Sequence, residues 1–161
     1  MDASVDDRTA LVVLATQLLR NGHSVTDADL IHLGAIGVDY FVRRDATARS
    51  VDEISSWVGP GDGRRVSARS YAEQLHLFAT AAPGTVVVTR TSRGSRYLAG
   101  RLTCMPYRYD PTVFNEHPHV REVTWGAYLP SGTSLDGNRY TTVRFVESPE
   151  LTAMIRMAAE G

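Results

Sequence analysis

One stretch constrains the rest of the chain: residues 83–125, PGTVVVTRTSRGSRYLAGRLTCMPYRYDPTVFNEHPHVREVTW. A Pro83-Gly84 break opens it, and the β-branched run from Thr85 to Thr89 predicts a buried strand. Ser92-Arg93-Gly94-Ser95 reads as a turn in which Gly94 is free to take positive φ, and residues 96–103 return as a second strand. Tyr107-Arg108-Tyr109-Asp110 follows between Pro106 and Pro111. A loop with His117-Pro118-His119 then leads into a third strand that ends at Trp125. Rings and arginines interleave throughout. Rings stack on bases and guanidinium groups grip phosphates, so the mixture suits a nucleic-acid reader.

Around this stretch the chain alternates between types of element. Residues 4–21 predict an amphipathic helix: Ser4 and Asp7 have capping-box spacing, and Leu11, Leu14, Ala15 and Leu18 recur with helical period. Residues 30–42, LIHLGAIGVDYFV, suggest a strand with a bend or bulge, although Asp27 and Asp29 offer a helix start. Arg43, Arg44 and Arg49 form a small basic cluster, either a phosphate contact or a solvated face. Ser50 to Glu53 is a capping box for a short helix carrying Val51, Ile54, Trp57 and Val58. Residues 59–63 are a linker, since they lack the lysine and the strand-to-helix context of a phosphate loop. A third helix spans about 68–82, with Tyr71, Leu75, Phe78, Ala79 and Ala82 on one stripe. Residues 140–146 alternate as a last strand, and Ser148-Pro149 opens a closing helix. The order favours an α+β domain: a small, curved, mostly antiparallel β-barrel with packed flanking helices.

Composition closes off several chemistries. All 17 basic residues counted as Lys+Arg are arginine, which excludes a P-loop lysine, a Schiff-base lysine and the lysine of a D…ExK nuclease centre. The single cysteine, Cys104, rules out an internal disulfide framework and a cysteine-rich zinc site. No apolar run approaches the roughly 20 residues that span a bilayer, and the acidic first residues argue against a targeting peptide, so a cytoplasmic location is expected. The net charge of −1 excludes a body-wide polyanion binder. His117 and His119 have the spacing of a metal pair on an extended segment but no third ligand. Glu116, His119 and Arg121 lack a nucleophile or a second carboxylate. The expectation is a non-catalytic chain with no metal and no cofactor.

The segment from Tyr71 to Glu147 resembles the domain that precedes the nuclease in many Mrr-like restriction endonucleases, related in plan to EVE and other PUA-like barrels. The residues that carry it are Gln74 to Phe78, Pro83 to Val88, Leu98 to Thr103, Tyr107 to Asp110 and His119 to Trp125. Thr85 departs from the pattern, because relatives usually carry aspartate after the Pro-Gly pair. No nuclease sequence follows before Gly161, so either a piece of a longer protein or a stand-alone reader is expected. The first helix has no counterpart in that family, so residues 1–22 are expected as an N-terminal helix, appended or packed on the core, and the resemblance implies 23–161 as a PUA/EVE-like domain. It further implies recognition of nucleic acid, DNA ahead of RNA, in a restriction or antiviral defence system. A modified or flipped base would sit in an aromatic pocket. The expected contacts are Arg93, Arg96, Tyr97, Tyr107, Arg108, Tyr109, His119, Arg121 and Trp125. A nuclease domain or subunit is a further expected partner, a homodimer is allowed, and a membrane is not expected. The competing reading is a protein-interaction module that binds a partner through its helices.

Overall fold

The computed structural model describes residues 9–16, 18–59, 66–135 and 142–161. Where a first helix was expected, the chain forms β1 (Ala10–Val13) and a small hairpin of β2 (Leu19–Arg20) and β3 (His23–Ser24). Residues 1–8, including the Ser4 and Asp7 cap, lie outside the described residues. The correction has a simple cause. Every residue of β1 is buried, Leu11 and Val13 in one apolar cluster and Ala10 and Val12 in another. A strand covered on both faces is a continuous apolar run, and its leucines fall at helical spacing by coincidence.

The ambiguous segment divides at Gly34 into α1 (Asp27–Leu33) and β4 (Ala35–Val38). Thr26 and Asp29 form a reciprocal capping box, and Gly34, at φ 59°, ends the helix in the left-handed conformation. Then come α2 (Val51–Trp57) and α3 (Ala68–Thr80), capped by Ser50 and Ser67. Strands β5 (Val86–Thr89), β6 (Leu98–Leu102), β7 (Arg108–Tyr109) and β8 (His119–Tyr128) follow. The chain closes with β9 (Val143–Phe145) and α4 (Pro149–Glu160), capped by Ser148 as expected. Residues 60–63 of the linker, the two that follow it, and Tyr140 and Thr141 of the expected last strand lie outside the described residues.

The result is α+β, with four helices and a mixed sheet curled into a half-barrel among the described residues. The strand order is β4-β8-β6-β5-β1-β9, with β7 paired to β8 beside this path. One pairing, β1 with β5, is parallel and the others are antiparallel. Strand β8 is the spine. Its first half lies between β4 and β7, and from Val123 to Tyr128 it pairs with β6.

Two cores flank the sheet. On one face Leu11, Val13, Val87 and Val123 meet Leu30 of α1, Ile54 of α2 and Leu75 and Phe78 of α3. On the other, Val12, Val86, Val88 and Ala99 meet Ile155 of α4. Gly126 explains how closely α4 approaches: a Cβ there would lie 2.5 Å from the Ala158 carbonyl oxygen and 2.6 Å from that of Ala159. Only a residue without a side chain lets the helix backbone rest on β8.

Candidate nucleic-acid interface

The β5–β6 turn carries Arg90, Arg93 and Arg96 within seven residues of chain. Arg93 is exposed at the apex. The Arg90 guanidinium lies 5.0 Å from the centre of the Tyr97 ring, and that of Arg96 lies 5.4 Å from the Tyr128 ring. Arg96 Nε also donates to the Leu129 carbonyl at 3.0 Å. Among the described residues no carboxylate forms an ion pair with any of the three. Asp27 is hydrogen-bonded to this assembly: its carboxylate accepts from Thr91 Oγ1 at 2.8 Å and from the Tyr128 hydroxyl at 3.0 Å. Gly94 is needed for closeness rather than for positive φ. A Cβ there would meet Thr91 Oγ1 at 3.0 Å and Asp27 Oδ1 at 3.2 Å.

Tyr107 and His119 form a different kind of site, buried beneath the loop that joins β4 to α2. His119 has no exposed surface and Tyr107 has 6%. His119 Nε2 lies 2.8 Å from the Val42 carbonyl oxygen, which can only accept, so Nε2 carries the hydrogen. In the neutral ring Nδ1 then accepts, and the Tyr107 hydroxyl 2.6 Å away donates to it. That hydroxyl in turn accepts from the Ala46 N–H at 3.1 Å. One neutral tautomer satisfies all three bonds. Burial depresses the His119 pKa to about 4 against the favourable Val42 contact, and burial raises the Tyr107 pKa to about 12. Tyr109 meets the same imidazole edge-on at 5.4 Å and keeps part of its ring exposed.

The remaining expected contacts are scattered. Arg121 is 2% exposed and caps α3, donating to the carbonyls of Phe78, Ala79 and Ala81 at 2.9, 3.3 and 2.9 Å. Three carbonyls without helical partners thereby gain a donor, which is a structural task. Arg108 sits between Asp110 at 3.5 Å and Glu122 at 3.4 Å. Arg101 bonds the Gly84 carbonyl and Glu160. Trp125 is half-buried against the α1–α3 core, and its indole N–H is buried with no acceptor in the structure. The expected contacts therefore do not share one aromatic pocket, since Arg121 is buried as a helix cap and Arg108 is held between two carboxylates. Tyr97, Tyr107, His119 and Arg121 are core or capping groups in this conformation. Arg93, Arg96, Tyr109 and Trp125 keep surface available to a ligand.

Sequence reasoning passed over two groups. Tyr128 was missed because its partners Asp27 and Arg96 are 101 and 32 residues away, and Arg90 was missed although Tyr97 lies only seven residues on. Trp57 was assigned to an apolar stripe, yet Arg44 lies over its ring at 4.4 Å and Arg49 at 5.8 Å. The arginine cluster at 43–49 was the available signal. Among the described residues no group of three His, Cys, Asp or Glu side chains is placed to hold a metal ion. Comparison of the chain with known protein families, with curated proteins and with solved structures finds no match.

Proposed function

We propose that this chain is a non-catalytic recognition module for nucleic acid, DNA ahead of RNA, acting in the cytoplasm as part of a restriction or antiviral defence system. In plan it would be a PUA/EVE-like reader. The observation that carries the reading is the β5–β6 turn, where three guanidinium groups stand without a carboxylate partner among the described residues and two of them rest on rings. A stacked guanidinium keeps its in-plane N–H donors for a phosphate, and its side chain loses less freedom on binding than an unstacked one. Base reading falls to Tyr109 and Trp125, the two expected rings that remain half exposed.

Stacking contributes about 1–3 kcal/mol per base, and extruding a paired base costs a few kcal/mol. The two nearly cancel on an ordinary duplex, so recognition requires a modified, mismatched or unpaired base. The competing protein-interaction reading needs an apolar patch on a helix. Among the described residues Ile31 on α1 and Met157 on α4 are the large exposed hydrophobics of the helices, one on each, and a single side chain does not make a patch.

The test is fluorescence anisotropy with labelled duplexes that carry a single modified, mismatched or unpaired base. At least one should bind tenfold more tightly than plain duplex. Trp125→Ala should erase that preference and leave a salt-sensitive background in place. Absence of binding to every oligonucleotide at low salt would overturn the reading.

A further inference from the structure

We infer that the loop from Asp39 to Ser50, together with Trp57, is a second contact for the bound strand, a shelf on which Arg44 holds a phosphate. This rests on the reading of the chain as a nucleic-acid binder and adds a site to it.

The loop is strained and firmly built. Tyr40, Phe41 and Ala48 adopt φ of 58°, 58° and 56°, a region that residues with a Cβ rarely occupy. Such conformations persist only where the surroundings impose them, and here the surroundings are explicit. His119 holds the Val42 carbonyl and Tyr107 holds the Ala46 N–H. The Tyr40 hydroxyl donates to Gln74 Oε1 at 2.8 Å, and the Tyr40 and Phe41 rings pack on Tyr71 of α3 at 5.6 and 5.7 Å. The buried histidine and tyrosine thus act as positioning residues beneath an exposed surface.

On that surface the acids are engaged. Asp39 pairs with Arg43, Asp45 accepts from the N–H and hydroxyl of Thr47, Asp52 pairs with Arg69 and Glu53 pairs with Arg49. Arg44 is exposed, and among the described residues no carboxylate pairs with it. Its guanidinium is laid over an indole that is itself packed against the core. With the ring beneath it and no carboxylate taking its N–H groups among the described residues, the fork is left to grip two oxygens of a phosphate. Residues 39–57 hold three arginines against four acids, so the grip is this one oriented fork and not a basic field.

Placement relates the shelf to the turn. The shelf lies above His119, where β8 begins, and the turn lies beside Tyr128, where β8 ends. Nine steps of extended chain put His119 and Tyr128, the two anchor points, roughly 30 Å apart at most, about the rise of nine base pairs.

The experiment is anisotropy with a fluorescein-labelled 20-base-pair DNA duplex of mixed sequence, titrated at several salt concentrations. Arg44→Ala should weaken binding three- to tenfold and reduce the log–log salt slope by about 0.9, one phosphate contact. Its melting temperature should stay at the wild-type value, because the residue is exposed. Arg44→Lys should restore the slope but less than half of the lost affinity, since an ammonium does not stack as a planar fork. Full recovery by lysine would reduce the site to a point charge and overturn the shelf. If Arg93→Ala and Arg96→Ala weaken binding and Arg44→Ala does not, the reading stands and the shelf falls. If the wild-type chain binds neither this duplex nor those with a modified, mismatched or unpaired base at low salt, both fall.

Discussion

Acid should loosen this protein well before its carboxylates titrate, and His119 is the reason. Its ring is committed on both sides, giving a hydrogen to Val42 and taking one from Tyr107. A proton added to Nδ1 would face a hydroxyl already held there by the Ala46 N–H. The folded pKa is about 4, against an ordinary 6.5. Between those values the unfolded chain binds a proton that the folded chain refuses, so stability rises with pH across that window and falls on acidification. At 1.36 kcal/mol per unit the full loss is about 3.4 kcal/mol, of which about 2.5 kcal/mol should appear between pH 7.5 and 4.5. Burial also lowers the His117 pKa, which adds loss of the same sign in the same range. Asp29, Asp45 and Asp110 are held below the usual carboxylate value by their threonine hydrogen bonds, so their losses come at lower pH. Urea unfolding at pH 7.5, 6.0, 5.0 and 4.5 measures the loss, and ring carbon shifts by NMR assign it. In His119→Gln, less stable at neutral pH, the acid-dependent part should shrink by about 2 kcal/mol. A His119 resonance that titrates near 6.5, or a total loss below about 1 kcal/mol over this range, would refute the neutral, doubly bonded ring.

Two further predictions concern the frame. Arg121→Met keeps the bulk of the side chain but strips the α3 C-terminus of three hydrogen bonds, and should cost about 2–4 kcal/mol in urea unfolding; a loss under 1 kcal/mol would mean that water replaces the cap. Gly126→Ala pushes a methyl into the backbone of α4, and should cost about 1–3 kcal/mol with faster amide exchange confined first to that helix. Unchanged exchange in α4 would show that the helix does not rest there.

The helices α2, α3 and α4 were legible because their signals are local. A serine cap precedes each, and Pro83-Gly84 stands shortly after α3. Strands β5, β6 and β8 were legible for similar reasons, bounded by glycine, proline or an obvious turn. β1 was not, because a short run buried on both faces has no period to read. The sheet's one parallel strand pairing belongs to that strand, whose partner β5 lies far along the chain. The site divides along the same line. The exposure of Arg93 at a turn tip is a local property and was expected. Arg121 capping α3, and His119 holding Val42, depend on partners 43 and 77 residues away, and no spacing rule reveals them.

The position of β1 also governs how the molecule assembles. The meander of β5, β6 and β8 is built from near neighbours in sequence, so its loops close at little entropic cost. β1 pairs Ala10 with Val86 and Leu11 with Phe145, contacts of high sequence separation that form late. When it docks, alternate residues complete the cores on the two faces in one event. Until then β5 presents three consecutive valines, Val86, Val87 and Val88, along an unpaired edge. Such an edge accepts any parallel apolar strand, including the β1 of a neighbouring molecule. The same insertion that closes the native sheet therefore makes any chain in which β1 has not docked the form most exposed to strand exchange and aggregation. Refolding yield should be set by protein concentration during that last step.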